Sequence, residues 1–396
     1  MRKIIALTLS TLLLLSACAP KFEKQQEIVN ESEDTTEQAI IPKYQISDQF
    51  YRTVLTEDNQ IKPSESRGLV VSGLNTRYDI DEVERGLMRI AQDTFSPDEY
   101  FFQEGQYLDR QTVQSWLSRK LTPEQLQEKL NEDPNYVDLG LNPSIDTTAN
   151  ATLTDLNQES PIYLAHILEH NYLVEKDEQT VELGGIVIGL ALNSVHYYKQ
   201  EQGYDREVNI DRSVLEKEGK KIAEEVVRRV KLIDGLGNIP IVVALFEQQS
   251  KSSIVPGNFF TQGNVKADSS SIDKWSDINE KYYLFPSDDA ENEHREDVVT
   301  FNRLKDSIAQ FFPNYTGIIG KGFYKDDTLQ QMTIEIPMQF YGKSEVIGFT
   351  QYVTNEAMEI FPNYISLQMY ISSVRGQESI VIREAGEEEP FVHIFQ

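Results

Sequence analysis

Few residues of this chain have types and spacing that bear on chemistry. His166-Ile167-Leu168-Glu169-His170 has the H-x-x-E-H order in which two histidines bind zinc. On a helix opened by Ser160 and Pro161, His166 and His170 would share a face, as two zinc ligands must. Zinc chemistry also needs a third protein ligand. Glu216, Glu218, Glu224 and Glu225 are offered by the next strong helix, and nothing marks one of them out. A zinc-dependent hydrolase is therefore the alternative reading, and neither a metal nor a cofactor is assigned. Gly342-Lys343-Ser344 looks like the end of a phosphate loop, but Pro337 stands where its first glycine must be. His196, His294 and His393 are scattered, and no nucleophile elbow or G-x-G-x-x-G occurs. Nothing demands catalysis, and no catalytic residue is assigned.

Two other features point to processing and binding. Leu15-Ser16-Ala17-Cys18 has the form of a lipobox, in which a thiol takes up diacylglycerol and the bond before it, here between Ala17 and Cys18, is cut. Cys18 is the single cysteine, so an exported body has no disulfide to form. Separately, Ser253-Ile254-Val255-Pro256-Gly257-Asn258-Phe259 contains a turn followed by aromatics. Pro256, Gly257, Asn258 and Phe259 are candidates for a ligand-facing loop, together with Asn193 at the end of GIVIGLAL. The competing reading is a buried turn plugged by an aromatic ring.

The elements that would position these residues follow from the chain order. Arg2 and Lys3 precede an apolar stretch, Ile4 to Leu15, and small residues lead to the cut, the layout of a secretory leader spanning residues 1–17. Twelve residues reach roughly 18 Å, short of the roughly 30 Å of a bilayer core. Residues 18–43 are polar and acidic and read as a flexible tether. The 396 residues carry 37 Lys+Arg against 64 Asp+Glu, a net charge of −27, which becomes −29 once Arg2 and Lys3 are removed. So acidic a body repels nucleic acid and anionic headgroups.

The remainder reads as α+β with two folded regions, and is divided into 44–157, 158–285 and 286–396. In the first region Gly68 to Val71 suggests a strand. Asp79 to Asp93 has helical period, with Asp79 or Asp81 as cap; Val113, Trp116 and Leu117 mark a second helix, and Thr122-Pro123 opens a third. Asp133 to Asp155 reads as a loop. In the second region Gly185–Leu192 is a strand covered on both faces, Val214–Ile233 an amphipathic helix and Ile239–Phe246 another buried strand, giving β-α-β. Met332–Tyr341, Glu345–Ile360 and Ile365–Ser372 repeat that order, with Ile347, Val353, Ala357 and Ile360 inward and Glu378–Arg383 as a closing strand. Phe312-Pro313-Asn314-Tyr315 recurs as Phe361-Pro362-Asn363-Tyr364, which supports duplication. Thr261 to Arg295 reads as an exposed excursion.

The segments PIYLAHILEHNYL (161–173), GIVIGLALNSVHYY (185–198), NIPIVVALFEQQS (238–250) and SSIVPGNFF (252–260) resemble the sex pheromone precursor lipoproteins of Gram-positive bacteria, the CamS family. Weaker likeness includes EGQYLDRQTV (104–113) and the C-terminal half. The resemblance implies a lipid-anchored body on the outer face of the membrane, with internal repeats and no established activity. It also implies that the discarded leader, trimmed by proteases after signal peptidase has acted, yields a short apolar peptide that triggers plasmid conjugation. The matching residues here are Thr11, Leu12, Leu13, Leu14, Leu15, Ser16 and Ala17. Expected partners are thus the membrane, the processing proteases, and a peptide or cell-wall ligand for the body.

Overall fold

A computed structural model describes residues 36–47, 49–147, 151–177, 180–312 and 317–396. The leader, Cys18 with the first part of the tether, and Pro313, Asn314 and Tyr315 of the repeated turn lie outside the described residues.

The run GIVIGLAL forms the centre of the first sheet. It lies in β4 (Thr180–Asn193), where successive side chains alternate faces. Ile186, Ile188, Leu190 and Leu192 enter one core, while Val187 and Ala191 enter another. A strand buried on both faces needs this continuous apolar pattern. The sheet is completed by β1 (Thr36–Gln38), β2 (Phe101–Glu104), β3 (Leu164–Asp177), β7 (Ile241–Gln248), β8 (Asn258–Val265) and β9 (Lys274–Asp277). Its order is β2-β3-β4-β7-β8-β9, with β1 paired to the start of β4. A hairpin, β5 (Val195–Lys199) and β6 (Asp205–Asn209), follows β4.

Helix α1 (Arg77–Ala91) covers one face with Val83, Leu87 and Ile90. Helix α2 (Arg212–Val230) covers the other with Leu215, Ile222, Val226 and Val230. Because α2 carries the chain across the sheet, β4 and β7 run parallel. Gly219 allows that close approach, since a Cβ there would lie 2.6 Å from Leu192 Cδ1.

The second sheet has the order β10 (Glu280–Phe285), β11 (Ile319–Lys325), β12 (Thr328–Pro337), β13 (Ser366–Ser373), β14 (Gly376–Arg383) and β15 (Phe391–Ile394). Its two long helices are α3 (Arg295–Phe311) and α4 (Lys343–Ile360), and a short one, Asp288–Glu293, adds Ala290 to the core. Here too a helix links parallel strands, β12 and β13, so the expected β-α-β order occurs in both sheets. Met332, Ile334, Ile336, Leu367, Met369 and Ile371 form the core beneath the helices. The alternating positions Gln331, Thr333, Gln368 and Tyr370 lie on the other, polar face.

Several local expectations are corrected. Val70–Gly73 is one helical turn, not a strand; an apolar run this short satisfies either period. Thr76, not Asp79 or Asp81, caps α1, accepting the Asp79 N–H. Residues 261–295 are not an exposed excursion. They hold most of β8, all of β9 and β10, and buried Phe285. On α4, Val346, Phe349 and Thr350 face inward with Val353 and Ala357, while Ile347 faces out.

Candidate functional site

The H-x-x-E-H segment lies on β3, not on a helix. Alternation sends Leu168 toward α1 and Ile167 into the opposite core. His166 and His170 still share a face, because a spacing of four is in phase with the strand period as well as nearly so with the helical one. Glu169 is fully engaged. Its carboxylate accepts the N–H groups of Gln106 (2.9 Å), Tyr107 (3.2 Å) and Leu108 (2.7 Å), closing the loop after β2. Burial pushes that carboxyl up, and these N–H groups oppose the shift. The glutamates on α2 are also occupied: Glu216 with Lys220, Glu218 with Lys221, and Glu225 with Arg228 and Arg229. No group of three or more His, Cys, Asp or Glu able to hold a metal occurs among the described residues. The donor set for zinc hydrolysis is therefore not assembled.

The 253–259 loop is built into the first core. Phe259 is fully buried and meets Phe246 edge-on. The Gly257 N–H donates to Asp79 Oδ1 at 2.7 Å, and the Asn258 side chain donates to the Phe259 carbonyl. Pro256 is buried beside them. Asn193 donates from Nδ2 to the Ile162 carbonyl and accepts from Gln248 Nε2 at 2.5 Å. All five residues are thus occupied by the protein's own groups or packed within it.

Two concave surfaces lie on either side of α1, and Glu84 contributes to both; a third, of about 560 Å³, lies by Arg52, Phe101 and Glu175. The larger of the two beside α1 is a cleft of about 780 Å³ between α1 and the polar face of the second sheet. Phe323, Gln331, Thr333, Gln368 and Tyr370 form its sheet wall, with Asp81 and Arg85 on the helix side. The array combines amide and hydroxyl groups with aromatic surface, a combination suited to a polar ligand of some length. Lys321 also lines it, half-buried and without an ion pair among the described residues. Burial, and the nearby Arg85, lower its pKa. The smaller pocket, about 210 Å³, is lined by His166 and His170. Burial holds His166 down at about 4 and His170 at about 3, so both rings are neutral near pH 7. Sequence reasoning reached the two histidines but missed Arg67, Glu84 and Glu104 beside them. No spacing signals those three, since they come from a loop, a helix and a strand.

The family model described as CamS sex pheromone cAM373 precursor matches residues 61–389. The chain belongs to the CamS family. The matched range includes the five segments quoted for the resemblance, from residue 104 to residue 260. The chain is also similar to two solved structures. One is a sex pheromone precursor from Lactobacillus salivarius subsp. salivarius UCC118, with 32% identity, covering 91% of this chain and 99% of that one, at a TM-score of 0.79. The other is the C-terminal domain of the sex pheromone staph-cAM373 precursor from Staphylococcus aureus, with 31% identity, covering 82% and 98%, at a TM-score of 0.71. No curated protein matches. No helix among the described residues of this CamS member is long and apolar enough to cross a membrane.

Proposed function

We propose that this CamS-family chain is a precursor with two products. Cleavage between Ala17 and Cys18 releases a leader whose Thr11–Ala17 segment is trimmed to an apolar peptide that signals plasmid conjugation. The body stays on the outer face of the cell membrane, held through lipid on Cys18, and acts as a non-enzymatic binding module for a peptide or cell-wall component. One observation carries the reading: the sole cysteine stands directly after an apolar leader in a chain of this family. Two acyl chains on it would make the attachment lasting, where one holds only marginally. The acidic body keeps clear of anionic headgroups, and the cleft between α1 and the second sheet offers polar and aromatic contacts.

The test is the mass of the mature N-terminus in Cys18→Ser and parent cells. Parent protein should begin at a diacylated Cys18; the variant should keep its leader and carry no lipid. A variant processed and retained like the parent would overturn the reading. For the leader, synthetic TLLLLSA should induce clumping or transfer in a responsive strain, and silence across responsive strains would remove the signalling half.

A further inference from the structure

The smaller pocket carries an inference independent of the cleft. Neither His166 nor His170 makes a hydrogen bond with any described residue, and the Nδ1 atom of each is buried without a partner. The two side chains are only 2% and 3% exposed. Buried polar atoms left unpaired are costly and uncommon, and call for an explanation. Phe102 packs edge-on against the His170 ring, and Val70, Met88 and Leu168 supply the rest of the apolar wall. At the mouth, Arg67 forms a two-pronged pair with Glu104. Glu84, exposed on α1, has no ion pair of its own among the described residues. Arg67 is paired with Glu104 and only near Glu84, so two carboxylates face one guanidinium and leave surplus negative charge over an apolar, imidazole-lined interior.

We propose that this pocket binds a small primary amine carried on a short apolar body, with the ammonium at Glu84 and Glu104 and a hydrogen-bonding group reaching the imidazoles of His166 and His170. The chemistry is that of a peptide N-terminal residue with an apolar side chain. Neutral rings do not repel a cation, and they present either a donor or an acceptor according to tautomer. The volume of about 210 Å³ falls below the roughly 300–1,000 Å³ of sites for drug-sized ligands, which suits one such residue rather than a long ligand.

The probe is leucinamide, compared with N-acetylleucinamide, which keeps the shape and loses the charge. Each is titrated by calorimetry into the purified protein, and the imidazole nitrogens are followed by NMR. Leucinamide should bind saturably at one site and shift the His166 and His170 ring signals. Acetylation should weaken binding about tenfold or more, as loss of a charge-assisted hydrogen bond does. Glu84→Gln, at an exposed position that folding does not need, should weaken leucinamide about tenfold. Met88→Trp should abolish binding by filling the space. Equal binding of the two amides, absence of saturable leucinamide binding, or unchanged affinity in both variants would overturn the proposal.

Discussion

The guanidinium of Arg89, on α1 over the first sheet, lies 2.6 Å from the carboxylate of Glu280, the first residue of β10 in the second. The same group reaches Glu82 at 2.7 Å, and the Tyr282 hydroxyl donates to Glu82 at 2.6 Å. Both carboxylates are almost wholly buried. Burial opposes the charge on Arg89, yet Glu82 and Glu280 hold it more firmly protonated than usual. One cation therefore ties the helix of one sheet to the edge strand of the other, at the back of the larger cleft.

Arg89→Ala should be among the most damaging single changes in the body. It strands two buried carboxylates, and breaking such a pair costs roughly 3–5 kcal/mol. Arg89→Lys should recover only part, because an ammonium cannot span both carboxylates as a fork does. Urea unfolding midpoints of the three proteins check this, and equal midpoints for Ala and parent would refute it.

Gly257→Ala should destabilise the 253–259 loop. A Cβ at residue 257 would sit 1.9 Å from the Glu247 carbonyl oxygen, a backbone atom on the neighbouring strand that cannot step aside. The strain is expected to cost about 1–3 kcal/mol. Asp79→Ala should cost about as much by a different route, leaving the Gly257 and Gln249 N–H groups unpaired. Thermal melts of both variants give the comparison.

Stability should fall as pH drops below about 6.5. In the folded chain burial holds His166 at about 4 and His170 at about 3; burial, then Arg119, holds His196 at about 4. Unfolded histidines take up protons near pH 6.5 that these native rings refuse until pH 4 or below, so the unfolded state gains as pH falls through that window. Each ring contributes up to about 1.4 kcal/mol per pH unit. Glu169 and Asp79, raised by burial, act in the opposite sense. The measurement is therefore a difference: His170→Gln should show a shallower fall in unfolding free energy between pH 6.5 and 4 than the parent. Parallel curves would count against the assignment.

Tyr370→Ala and Gln368→Ala should weaken capture of wall fragments or peptides without lowering the melting temperature appreciably. Both side chains line the cleft on the polar face of β13, away from the core beneath. Thermal shift against a panel of both ligand classes tests this. Binding that survives the double variant would move the site elsewhere.

Much of the architecture was legible from the chain alone. The continuous run Gly185–Leu192 can be buried only on two faces. The Leu215, Ile222, Val226, Val230 stripe can face only one way, and the Thr122-Pro123-Glu124-Gln125 start closes into a capping box as its residue types require. The apolar run before Cys18, on which the proposed leader rests, is likewise a property of local sequence. Where two periods agree, the pattern could not choose. A spacing of four puts His166 and His170 on one face of a helix or of a strand, and only the pairing of β3 with β2 and β4 decided between them.

Local composition and periodicity thus determined the β-α-β units and the faces their helices bury, because each of those depends on residues within a turn or two of one another. Tertiary structure alone decided that Glu169 would be spent on three backbone N–H groups, that Arg89 would meet Glu280 across 191 positions, and that Arg67, Glu84 and Glu104 would gather around two histidines. Such meetings are set by how sheets and helices stack, and no spacing along the chain encodes them.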